Sequence, residues 1–192
     1  FFVITMGYNA FFRNTVKMNR SLTWVFTFSV ITLVLYLGSL LGFMLQTVYA
    51  ISVLGCLLSL YYLWAVWKKK YRFRRLDYIA LGMMAYLLLF GITLWHSPLL
   101  HYDNFTHWAT IVKFFHINNA LPTQQDTIIS YYTYPVGSSL FIYFFTTIVG
   151  FSEGSMLVGQ FFLIASSLYA MFAALRDDRR VLMVSMIFAS FA

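Results

Sequence analysis

The sequence predicts an all-α, polytopic transmembrane protein with an amphipathic helix at the membrane surface. Three observations carry this. The chain is 61% hydrophobic and only 10% charged, with a mean hydropathy of +0.75, whereas a soluble domain is about a quarter charged. Its apolar residues come in runs long enough to cross a bilayer, which takes about 20 residues. The polar residues are gathered in one place: all four histidines (His96, His101, His107, His116), all three prolines (Pro98, Pro122, Pro135) and two of the six acidic residues (Asp103, Asp126) lie between His96 and Pro135.

The 192 residues form one transmembrane domain, 1–192, with room for roughly five or six spans. Phe1 begins inside an apolar run, and VLMVSMIFASFA stops before a span is complete. The chain therefore reads as a segment of a longer protein. Phe1–Phe12 is too short for a signal peptide and lacks its charged start. It reads instead as the end of a helix arriving at the cytoplasmic face, where Arg13, Lys17 and Arg20 follow.

Ser21–Trp67 is too long for a single crossing and divides near Gly42–Thr47 into a helical hairpin. Nine of the thirteen Lys and Arg residues lie in two blocks, Arg13–Arg20 and Lys68–Arg75. These flank the hairpin, which is the positive-inside pattern and places both its ends inside. The same placement accounts for the net charge of +7 by attraction to anionic lipid, and argues against nucleic-acid binding. Cys56 is the single cysteine and lies mid-span, so this stretch holds neither a CxxC site nor an intramolecular disulfide.

Asp77 is placed to cap the next helix, and Tyr78–Trp95 crosses outward, ending in an interfacial tryptophan. The loop 96–135 is thereby outside. Val136–Phe151 is short for a crossing, at roughly 24 Å of helical rise. Phe151–Ser155 reads as a turn and Met156–Leu175 as a span. If both helices cross, Arg176–Arg180 falls outside, against the positive-inside rule. If Val136–Phe151 is a re-entrant or tilted half-span, Arg176–Arg180 falls inside. The sequence leaves both open.

Between Asp103 and His116 the pattern is helical. At about 100° per residue, Asp103, Thr106, His107, Thr110 and Lys113 share one arc. Phe105, Trp108, Ala109, Val112 and Phe115 share the opposite one, and His116 falls towards the apolar side. This predicts a helix lying in the interface, apolar side down. Asp103 and His107 are four apart and can hydrogen-bond on one face. An Asp held anionic there can orient or deprotonate a hydroxyl while Lys113 neutralises a phosphate. The plainer reading is that polar residues simply line the wet side, with Asp103 as a cap. A zinc or manganese site built from His101, Asp103 and His107 is a further alternative by ligand type, although the spacing matches no compact motif.

The run Tyr102-Asp103-Asn104-Phe105-Thr106-His107-Trp108, then Ala120-Leu121-Pro122, then Tyr134-Pro135-Val136-Gly137, resembles bacterial multispanning glycosyltransferases of the GT-C fold. The similarity lies between Tyr78 and Glu153 and centres on a YDEFSHW-like motif and a later YPPG-like one. Asn104 stands where the family often has Glu, and Val136 where the later motif has a second proline. The hairpin before Tyr78 is extra relative to the simplest members of the fold.

The resemblance implies a cell-membrane enzyme that transfers a sugar from a polyprenyl-phosphate donor to a glycan or glycolipid acceptor of the cell envelope, on the outer face. It implies Asp103 as the base on the acceptor, with His107 beside it. The substrate-binding candidates are His101, Tyr102, Trp108, Lys113 and Tyr134, and a divalent metal, magnesium or manganese, stays open as a cofactor. Two other classes explain the hydrophobicity without catalysis: a lipid or glycan transporter, and a non-catalytic subunit of a membrane complex. The span interiors lack the ionisable residues that mark many ion pathways, which disfavours a proton-coupled transporter.

Overall fold

The computed structural model describes residues 1–68, 78–129 and 132–173. Within them the chain is helical, with no strand. The expected cap at Asp77, the basic residues Lys69–Arg75 and the Arg176–Arg180 cluster lie outside the described residues. The helices are α1 (Phe2–Asn14), α2 (Arg20–Leu40), α3 (Met44–Trp67), α4 (Tyr78–Trp95), α5 (Ala109–Asn118), α6 (Gly137–Val149) and α7 (Glu153–Met171), with a π turn at Asn104–Trp108 before α5. Three of them, α2, α3 and α7, are long and apolar enough to cross a membrane, while α4 and α6 are apolar but shorter. The chain is a membrane protein by this measure.

The hairpin divides where the sequence places it. Leu41, Gly42 and Phe43 separate α2 from α3, and Gly42 has φ +80°, a conformation only glycine adopts without a steric penalty. Asn19 caps α2, its side chain accepting from the Ser21 N–H at 2.9 Å. Lipid is as apolar as leucine, so burial alone gives helices little reason to associate within a membrane. Close backbone approach and interhelical hydrogen bonds supply one. The α1–α3 pair shows both. A Cβ on Gly7 would stand 2.1 Å from the Gly55 carbonyl oxygen, and the Tyr8 hydroxyl donates to the Ile51 carbonyl at 2.8 Å.

Helices α4 and α7 run antiparallel. Trp95 meets Gly154, the Tyr86 and Phe161 rings lie 5.3 Å apart, and Ala80 and Met83 share a core cluster with Ala165 and Tyr169. The end of α4 and the start of α7 are therefore at the same end of the bundle.

Helix α6 is buried along Ser139–Thr146. Eight consecutive buried residues cover every side of the helix, and α6 is enclosed by α2, α5 and α7. Val112 of α5 clusters with Ile142, and Phe115 packs edge-on against Tyr143 at 5.9 Å.

Candidate active site

Residues Phe105–Phe115 are helical, as the periodicity predicts, but not uniformly α. Asn104–Trp108 is a π turn, a feature in which hydrogen bonds span five residues rather than four and which is frequent at functional sites. The Thr110 hydroxyl donates to the Phe105 carbonyl five residues back, in keeping with the wider turn. The structure overturns two expectations, the first because the 100° wheel assumes a regular α-helix.

The first concerns His107. The regular wheel puts it on the wet arc, yet it is 6% exposed. Its ring stands edge-on to Trp108 at 4.5 Å and to Tyr134 at 5.0 Å. Burial holds its pKa below the ordinary histidine value, with the charge of Asp103 pulling the other way. The second concerns the apolar arc. Val112 and Phe115 are fully buried, but against α6 rather than lipid, and Ile111 is buried with them. Phe105, from the same arc, is exposed. Asp103 and Lys113 are exposed as expected.

The imidazole beside the Asp103 carboxylate is that of His101, with Nδ1 at 3.4 Å from Oδ2. The same Nδ1 accepts the Asp103 backbone N–H at 3.3 Å. A neutral ring can accept that N–H, whereas only a protonated Nδ1 can pair with the carboxylate. Both side chains are open to solvent, so the pair contributes under about 1 kcal/mol. Asp103 is thus an accessible carboxylate that also acts on His107 as a nearby charge.

The structure brings Asp103, His101, His107, Trp108 and Tyr134 together, joining the two motif segments at the His107–Tyr134 contact. Tyr102 is exposed beside them. Lys113 is set apart, with roughly 15 Å of helical rise between it and Asp103. Among the described residues no three His, Cys, Asp or Glu side chains could hold a metal ion. His101, Asp103 and His107 do not converge as ligands, since His107 turns into the core while the other two face out. These three residues do not fit a zinc, magnesium or manganese site.

Other polar residues of the loop hold its shape. His116 Nε2 lies 2.8 Å from the Thr146 hydroxyl, with its ring between Tyr143 and Phe151, so it fastens α5 to α6. Burial lowers its pKa as well. Asn119 ends α5 in a left-handed conformation, φ +49°, and accepts the Tyr143 hydroxyl at 2.8 Å. Asp126 Oδ2 accepts both the backbone N–H and the hydroxyl of Thr123, at 2.7 and 2.8 Å. Asp126 is a turn-former and not an idle carboxylate.

Tyr134 also lines a groove of about 750 Å³. Its walls are one face of α2, including Ser29, Thr32 and Tyr36, the α7 residues Leu163 and Ser167, and the segment from Tyr132 to Ser138. Reading the sequence for charged chemistry passes over this groove. The available signal was the helical spacing of Ser29, Thr32 and Tyr36, three hydroxyls on one side of α2. No protein-family model, curated protein or solved structure matches this chain.

Proposed function

We propose that the protein is a membrane glycosyltransferase of GT-C type, moving a sugar from a polyprenyl-phosphate donor to a cell-envelope acceptor on the outer face. The observation that carries the reading is the contact of His107 with Tyr134, ring centroids 5.0 Å apart. It unites the two motif segments on which the resemblance rests and leaves the Asp103 carboxylate open beside them. A carboxylate on an exposed turn at the end of a membrane helix bundle can meet a water-soluble acceptor and a lipid-borne donor together.

In this reading the acceptor hydroxyl attacks the anomeric carbon, the bond from that carbon to the phosphate oxygen breaks, and polyprenyl phosphate leaves. Asp103 takes the hydroxyl proton, with the His101 ring 3.4 Å from its carboxylate. His107 is a positioning residue, wedged between Trp108 and Tyr134 so that the π turn holds its shape. Lys113 is too far along α5 to act at Asp103 and is left to meet the donor phosphate.

The test is sugar transfer in proteoliposomes supplied with labelled polyprenyl-phosphate sugars and envelope acceptors. Asp103→Asn should lower the rate by about 10²–10⁴-fold with melting behaviour unchanged, since the exposed side chain keeps its shape. Equal rates in the wild type and Asp103→Asn would remove Asp103 from the chemistry. Asp126→Asn is not a neutral control, because Asp126 holds the Thr123 turn.

A further inference from the structure

We propose that the end of α3 holds the headgroup of an anionic phospholipid, with Lys68 as its cation and Tyr61, Trp64 and Trp67 flanking it. The inference is independent of the glycosyl-transfer reading and rests only on α3 as a membrane span.

The three aromatic residues follow one another at intervals of three. At 3.6 residues per turn they and Lys68 stay within one arc of about 120°. Tyr61, Trp64 and Trp67 are all exposed, and the Tyr61 and Trp64 rings lie 6.3 Å apart. Val53, Leu57 and Leu60 are exposed on the same side, so the strip continues the lipid-facing surface to the point where α3 leaves the hydrocarbon. Rings with an apolar body and a polar tip suit that depth.

Lys68 turns this strip into a binding site. Its Nζ stands 4.8 Å from the centroid of the Trp67 ring, whose face attracts a cation. The ring covers one side of the ammonium and leaves N–H donors for an anion. The protein supplies none among the described residues. Asp103 stands beside His101, Asp126 accepts from Thr123, and Glu153 accepts from the Leu99 N–H.

The surrounding charge has the same sign. The Thr15 and Tyr62 hydroxyls meet at 2.9 Å, which sets the end of α1 beside the end of α3, with Arg13 and Lys17 on either side of Thr15 in the chain. An anionic headgroup answers this positive end, where a zwitterionic one does not. A soluble anion could reach Lys68 but would leave the aromatic faces bare. A lipid covers both, because its acyl chains lie along Leu57 and Leu60.

The experiment is tryptophan quenching in proteoliposomes that hold a minority of phosphatidylglycerol in phosphatidylcholine, with brominated acyl chains on one lipid at a time. Trp24→Phe, Trp95→Phe and Trp108→Phe together leave Trp64 and Trp67 as reporters. Brominated phosphatidylglycerol should quench as though enriched roughly fivefold over its bulk share, the effect of one lysine near the surface. Lys68→Gln should return it to the bulk share, and Lys68→Arg should retain the excess. No excess in the reporter protein overturns the proposal. An excess that survives Lys68→Gln also overturns it, because the general positive field then suffices. Quenching by neither lipid shows that lipid does not reach the strip, and the membrane placement of α3 fails with the proposal. If the reporter protein does not fold, native mass spectrometry compares the phosphatidylglycerol retained by the wild type and by Lys68→Gln from the same lipid mixture. Lower retention in Lys68→Gln supports the site, and equal retention overturns it.

Discussion

Glu153 Oε2 accepts the backbone N–H of Leu99 at 2.8 Å, across 54 residues of sequence. One residue on, Gly154 lies so close to Trp95 that a Cβ there would stand 1.9 Å from the Trp95 carbonyl oxygen. The chain that leaves α4 therefore returns to the same end of the bundle to begin α7. Everything between, including α6, makes no net passage to the other end. This is the geometry of the half-span alternative for Val136–Phe151.

Glu153→Ala should loosen that closure. A hydrogen bond to a charged acceptor contributes about 1.5–3 kcal/mol, and the exposure of Glu153 puts this one at the low end. Thermal unfolding in detergent should show a lower Tm for Glu153→Ala, and Glu153→Gln should recover part of the loss because its amide oxygen still accepts. An unchanged Tm in Glu153→Ala would show that the Leu99 contact is idle.

Gly154→Ala should cost more. Its methyl group would have to displace backbone rather than a yielding side chain, and overpacking of this kind costs about 1–3 kcal/mol. A Gly154→Ala protein as stable as the wild type would contradict the close approach of α7 to Trp95.

Stability should fall with acid. Burial lowers the pKa of His107 and of His116 below the ordinary 6.5, so the folded state favours their neutral forms. The unfolded chain binds more protons once pH drops below about 6.5, and stability is lost from there down through the folded values. Above that range the contribution is level. Melting measured from pH 7.5 to 5 should show the decline, and His116→Gln should flatten it. A wild-type Tm that rises on acidification would reverse the sign and refute the argument.

Topology can be read by labelling single cysteines in a Cys56→Ala background. Asn119→Cys should label from one side of the membrane, and Lys68→Cys and Ala173→Cys only from the other. The last two share a side because α4 and α7 are antiparallel and α6 makes no net crossing. Ala173→Cys labelling together with Asn119→Cys would mean that α6 crosses after all.

Composition and pattern alone determined the helical class, the hairpin with its break near Gly42–Thr47, and the helix over Phe105–Phe115. These follow from local causes: apolar runs of bilayer length, a locally polar point within one of them, and a periodic pattern within one segment. The residues of the candidate site were legible as a group for the same reason, since polar side chains are conspicuous in an apolar chain. Which way each one faces was not legible. A π turn, invisible in the sequence, rotates His107 from the wet arc into contact with Tyr134 and leaves His101 as the neighbour of the Asp103 carboxylate. The course of α6 was equally hidden, because its length suited either of two topologies. Only tertiary contacts decided it: a carboxylate at Glu153 that finds the Leu99 N–H, and a glycine at 154 that lets two helix ends meet. Such contacts join residues far apart in sequence, and no local pattern encodes the distance between them.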